Sequence, residues 1–186
     1  HDEVLYWMVC AWEDKFTGAI IDYGTYPDQK SLDFTLTTAK YTLSSELPSA
    51  GREARIYHGM EKCIGGIFER KFGKNKTQVS RCFIDASYGQ STEVVYRFAT
   101  QSSFSSMITP YHGHGYGPAS VPMRDYKKKA GDRLGLNWRM PAPVSKRIRH
   151  ILVDTNWWKS FVSARFMVPM GDPGSLSLFG KTPVEH

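Results

Sequence analysis

Two aspartates close short apolar runs in this chain: Asp85 follows Cys82-Phe83-Ile84, and Asp154 follows Ile151-Leu152-Val153. Each run gives way to polar residues and then to a helical pattern, so each reads as a buried strand with a carboxylate at its C-terminal tip. A carboxylate there is not packing material, because an ionised group is costly to bury without partners. For either residue by itself the simplest role is to cap the turn or helix that follows. Two such tips brought together would do more. Neighbouring carboxylates without matched cations repel, and one must take up a proton unless a divalent ion neutralises the pair. Oxygen-only ligand sets favour Mg²⁺ or Mn²⁺. Two such ions activate a water and stabilise the leaving oxygen of a phosphodiester, so the expected chemistry is metal-assisted hydrolysis of nucleic acid. Strand-end aspartates also serve other purposes in doubly wound folds.

The remaining charge pattern suits such a substrate. The formal net charge is +6 and the isoelectric point is near 9.2, a balance that favours polyanionic partners. Lys127, Lys128 and Lys129, with Lys146, Arg147 and Arg149, form a basic stretch, with Tyr111, Tyr116, Tyr126 and Trp138 interleaved. A lysine run is most often a solvated face, but cations alternating with aromatics suit tracking a phosphate backbone. His112 and His114 stand at a spacing that metal ligands use, yet no third ligand with recognisable spacing follows, so they read as part of a Gly-rich loop.

The elements that must position these residues follow from periodicity. Residues 4–12, apolar on both alternating faces and rich in aromatics, read as a strand covered on both sides. A turn over residues 13–18 and a strand over 19–24 complete a hairpin. Residues 25–50, with Pro27, Pro48 and many Ser and Thr, read as a surface connection. Ile56, Met60, Cys63, Ile64, Ile67 and Phe68 form one helical stripe, which Gly73 is expected to end. After the basic residues 71–76 comes the strand ending at Asp85, then a helix with Val94, Val95, Phe98 and Ala99 on one face and Ser91 as N-cap. Residues 107–109 are expected as a strand parallel to the preceding one, because a helix intervenes. Residues 111–143 read as a long irregular loop of the kind that is often functional. The strand at 149–154 leads into a helix over 156–166 capped by Thr155 or Asn156, and the turn cluster at 171–176 leads to a further strand or clamp.

The length of 186 residues suffices for one domain, residues 1–186, with a real core. Cys10, Cys63 and Cys82 lie in apolar patterns without paired spacing and read as reduced core residues, which points to a cytosolic setting. No apolar run approaches the roughly 20 residues that cross a bilayer, and no signal peptide opens the chain, so no membrane partner is expected. No phosphate-binding loop of the Gly-x-x-x-x-Gly-Lys-Ser/Thr type occurs.

Taken in order, Val4-Leu5-Tyr6-Trp7-Met8-Val9-Cys10-Ala11-Trp12, Ile21-Asp22-Tyr23-Gly24, Phe83-Ile84-Asp85-Ala86-Ser87-Tyr88-Gly89, Val153-Asp154-Thr155-Asn156-Trp157-Trp158-Lys159-Ser160 and Gly171-Asp172-Pro173-Gly174-Ser175-Leu176 resemble the C-terminal nuclease domain of tailed-phage terminase large subunits, the lambda-type group in particular. The likeness spans nearly the whole chain. It implies an α/β, ribonuclease H-like fold, a mixed sheet flanked by helices, and a Mg²⁺- or Mn²⁺-dependent endonuclease, with two ions, that cuts concatemeric viral DNA during packaging. It implies double-stranded DNA, a terminase ATPase domain, the small subunit and the portal as partners, in the host cytoplasm and transiently at the procapsid. Asp85 matches the second acid of the family pattern. The first is expected a few residues before the Val4 strand, which puts it ahead of His1 and leaves the central strand outside this chain. Asp2 falls after that position. Relatives place the third acid where this chain has Ser160, and Asp154 is the substitute. Lys159 would approach a phosphate or orient the carboxylates, and Asp22 would be a turn residue. The same residues fit two other readings, another ribonuclease H-like nuclease or transposase, and a catalytically inactive DNA-binding module.

Overall fold

The computed structural model describes residues 2–31, 33–117, 120–143 and 148–179. It is a mixed α/β protein with two mixed sheets flanked by helices. The chain forms two compact units, one taking the chain up to Val79 and again from Val162, the other spanning Ser80–Phe161.

In the first unit, strands β1 (Leu5–Trp12) and β2 (Gly18–Tyr26) form the expected antiparallel hairpin, with a register shift between Val9 and Cys10. The tail adds β8 (Leu176–Leu178) parallel to β2, giving the order β1-β2-β8. Helix α2 (Arg52–Phe68) buries Ile56, Met60, Cys63, Ile64 and Phe68, the stripe read from the sequence. Gly59 lets α2 approach its neighbours: a Cβ there would lie 2.5 Å from Leu43 Cδ2 and 3.3 Å from Leu5 Cδ1. The residues 25–50 are less irregular than expected. They hold a short helix, α1 (Leu43–Glu46), closed by a Thr42 and Ser45 capping box. The buried Gln29 side chain ties the preceding loop together, donating to the Pro27 and Tyr41 carbonyls and accepting from Lys40 N.

Three expectations for this unit fail for identifiable reasons. β1 is not covered on both faces: Tyr6, Met8 and Trp12 are 60%, 65% and 53% exposed, because α2 packs on the opposite side of the pleat only. α2 stops at Phe68, five residues before Gly73, which instead takes φ +65° within the turn bridging Phe72 and Thr77. Asp22 is not in a turn but inside β2, where its Oδ2 accepts from Arg70 Nη1 at 2.7 Å. Asp2 accepts two bonds from the Arg52 guanidinium, a structural ion pair.

The second unit is built on a five-stranded sheet of order β3-β4-β7-β6-β5. Its parallel block comprises β3 (Cys82–Asp85), β4 (Ile108–His114) and β7 (Ile151–Asp154). Helix α3 (Thr92–Gln101) links β3 to β4 and buries Val94, Val95, Phe98 and Ala99 as expected, although the Ser91 side chain makes no capping bond. Residues 111–143 are more regular than their composition suggests. β4 runs through to His114, and a hairpin of β5 (Arg133–Gly135) and β6 (Trp138–Met140) pairs antiparallel to β7. Glycines and prolines within the segment hide this from a propensity reading, whereas strand partners supply it. Helix α4 (Thr155–Phe166) follows β7 directly.

Candidate functional site

Both predicted acids stand at the carboxyl ends of parallel strands, but the register keeps them apart. Asp85 pairs with Tyr111 on β4, which pairs with Ile151 on β7, whereas Asp154 pairs with His114. The two carboxylates are therefore two strands and three residues out of step, about 10 Å across the sheet and about 10 Å along it. Because successive side chains alternate between faces, an odd offset sends them to opposite faces. Asp85 shares its face with Tyr111 and with Phe83, which is 58% exposed. Asp154 shares the other face with His114, His112 and Leu152, the side on which α3 lies.

Each acid has a local partner. Asp85 is exposed, and its Oδ1 accepts from Ser87 N at 2.8 Å; Ser87 Oγ in turn accepts from Gly113 N at 3.0 Å. The second oxygen of Asp85 has no hydrogen-bond partner among the described residues. Burial chiefly, and then the charge of Asp85, push the Tyr111 phenol up. Asp154 is half-buried, and its Oδ1 accepts from Trp157 N at 3.0 Å, three residues on. This is the N-cap arrangement of α4, so Asp154 takes the capping role expected of Thr155 or Asn156. Those two side chains instead tie the helix start to the end of β4 and the chain beyond: Thr155 Oγ1 donates to the His114 carbonyl and Asn156 Nδ2 to the Tyr116 carbonyl. Lys159 lies exposed on α4.

The histidines sit on a strand rather than in a flexible loop. His112 Nε2 lies 3.0 Å from Tyr96 Oη, and its ring meets that of His150 edge-on at 5.4 Å. Burial holds His112 below the usual imidazole range; the Asp85 charge opposes this and His114 adds to it. Among the described residues, no three His, Cys, Asp or Glu side chains gather closely enough to hold one metal ion.

The described cations of the basic stretch, Lys127, Lys128, Lys129 and Arg149, lie at the other end of the sheet. The turn of the β5-β6 hairpin is fixed to the carboxyl end of β7, with Asp154 N donating to the Asn137 carbonyl and Trp158 Nε1 to the same oxygen. Its open end, where Asp132 and Ala142 meet, is about 13 Å further back along the strands. Lys127, Lys128 and Lys129 are exposed there, and Arg149 Nη1 donates to the Gly131 carbonyl. Among the described residues, the lysine run is thus displaced along β7 from the carboxylates rather than placed beside them. Lys146 and Arg147 lie outside the described residues.

One residue of this region escaped the sequence reading. Asp132 is 6% exposed and accepts three hydrogen bonds, from Tyr126 Oη at 2.9 Å, Lys129 N at 3.0 Å and Ala142 N at 2.8 Å. The amides of Ala142 and Lys129 hold its carboxyl below the usual carboxylate range. Gly131-Asp132 is visible as a turn dipeptide, but a contact ten residues away is not. The chain matches no protein-family model, no curated protein and no solved structure.

Proposed function

We propose that this chain is the nuclease part of a lambda-type terminase large subunit, a ribonuclease H-like, Mg²⁺- or Mn²⁺-dependent endonuclease of double-stranded DNA, with Asp85 as a metal ligand. One observation carries the reading: Asp85 is exposed at the carboxyl tip of β3, the edge strand of a parallel block, with one oxygen oriented by Ser87. Ligands of open α/β sheets bind outside the carboxyl ends of the strands. Mg²⁺ is commonly held by one or two carboxylates, keeping water and substrate phosphate in its other positions, which fits a single oriented acid better than a closed protein cage. Among the described residues β3 pairs on one side only, with β4, and on this reading its other side takes one more strand that carries a further acid. When bound, the ions activate a water and stabilise the leaving oxygen. Asp85 would hold the metal at the strand tip, where the Ser87 amide fixes the carboxylate's direction. The partners on this reading are DNA, the packaging ATPase, the small subunit and the portal, in the host cytoplasm.

The separation of Asp85 from Asp154 favours a second reading, DNA binding without hydrolysis. Incubating the protein as encoded with supercoiled plasmid and Mn²⁺ decides between them. Nicking that disappears in Asp85→Asn supports the nuclease, and nicking indifferent to that change sinks the assignment. Salt-sensitive DNA binding with no nicking favours the second reading.

A further inference from the structure

Between Pro122 and Ala142 the chain carries six cations, Arg124, Lys127, Lys128, Lys129, Arg133 and Arg139, against two acids, Asp125 and Asp132. Asp125 is exposed near Arg124, at 3.9 Å, whereas Asp132 is buried among its three donors. Burying a carboxylate is costly unless hydrogen bonds replace its water, and here they come from both sides in sequence: Tyr126 and Lys129 before it, Ala142 after the hairpin. Asp132 N also donates to the Lys129 carbonyl at 3.1 Å, closing the turn. Gly131 at φ +82° admits this path, and a Cβ there would stand 3.1 Å from Ala142 Cβ. The Arg139 guanidinium lies 4.0 Å from the centre of the Tyr126 ring, covering the donor that holds Asp132. The two lysines between Tyr126 and Lys129 are therefore carried on a backbone pinned at both ends, and all three ammonium-bearing side chains are exposed.

Resting on the nucleic-acid reading above, we propose that Asp132 is the positioning residue of a phosphate-binding turn, clamping the segment that presents Lys127, Lys128 and Lys129 to consecutive phosphates of a DNA strand. Each backbone of duplex DNA offers one phosphate per about 3.4 Å of helix axis, a row that a fixed run of cations can meet. Holding the turn before contact removes part of the ordering cost of binding. An ionised acid inside a surface for a polyanion is repulsive by charge, and the clamp is what it supplies in return.

The two effects have opposite signs, so one substitution separates them. Binding of a short DNA duplex is measured by fluorescence anisotropy across a salt series. Asp132→Asn removes a negative charge and yet is expected to weaken binding roughly tenfold, through lost pre-ordering. Tyr126→Phe, which leaves charge unchanged and removes one donor of three, is expected to weaken it less, in the same direction. Replacing the three lysines with Ala should lower the slope of log K against log salt by about 3. Amide hydrogen exchange at Lys129 and Ala142 should accelerate in Asp132→Asn, with the β3 and β4 amides still protected. Binding that is unchanged or tighter in Asp132→Asn overturns the clamp. If those amides deprotect but the wild type binds no duplex, or binds polyglutamate as tightly, the clamp stands and the nucleic-acid reading falls.

Discussion

Asp85 and Asp154 end strands β3 and β7 on either side of β4, and a three-residue offset in register turns their side chains to opposite faces of one sheet. The same carboxylate chemistry at two similar strand tips is thereby divided. Asp85 is exposed with one oxygen held by the Ser87 amide, and Asp154 starts a helix.

Asp154 is expected to act through stability. Asp154→Ala removes the acceptor for Trp157 N and should cost about 1 kcal/mol, whereas Asp154→Ser, which keeps a capping oxygen, should cost little. Urea denaturation followed by the fluorescence of Trp157 and Trp158 reads both. A cap-preserving Asp154→Ser that stays fully stable but loses Mn²⁺-dependent nicking would show that the carboxylate has a chemical role as well.

His112 reports on Asp85. Its imidazole should titrate below the ordinary histidine value of about 6.5, because burial disfavours the cation. The Asp85 charge works against that depression, so Asp85→Asn should lower the His112 value further, read from the ring proton shifts in an NMR titration. A rise in that variant would contradict the geometry. The sign for stability follows: with the folded value depressed, the contribution of His112 is present above the unfolded value and is lost as pH falls through the folded one. Replacing His112 with Gln should flatten the decline in stability on acidification below neutral pH.

Two glycines of α2 should respond oppositely to alanine. At Gly66 an added Cβ meets nothing within 4 Å, so Gly66→Ala should stabilise by roughly 0.5–1 kcal/mol through helix propensity. At Gly59 the same methyl would stand 2.5 Å from Leu43 Cδ2, and Leu43 is 1% exposed with little room to yield. Overpacking there should exceed the propensity gain, and Gly59→Ala should destabilise by about 1 kcal/mol or more. Thermal melts of the two variants beside the wild type provide the comparison.

Phe98 is fully buried in α3. Phe98→Ala should destabilise the second unit by about 3–5 kcal/mol. Hydrogen exchange resolved by residue would place the loss in β3, β4 and α3. A loss of less than about 1 kcal/mol would mean that the core around α3 collapses to refill the space.

Much of this architecture was legible in the sequence because it depends on local pattern. The stripe from Ile56 to Phe68, the α3 face at Val94, Val95, Phe98 and Ala99, and the apolar runs ending at Asp85 and Asp154 are set by periodicity, which the chain carries with it. Pairing decided the rest. That β1 shows Tyr6, Met8 and Trp12 to solvent depends on which face α2 covers, and alternating hydrophobicity cannot tell a covered face from an open one. Asp132 looks like a turn residue until the hairpin returns Ala142 to it. Two aspartates at two strand tips are visible in the sequence, but whether they meet depends on the parity of a register. A shift of one residue would exchange the faces, and that register is fixed only when β3, β4 and β7 pair.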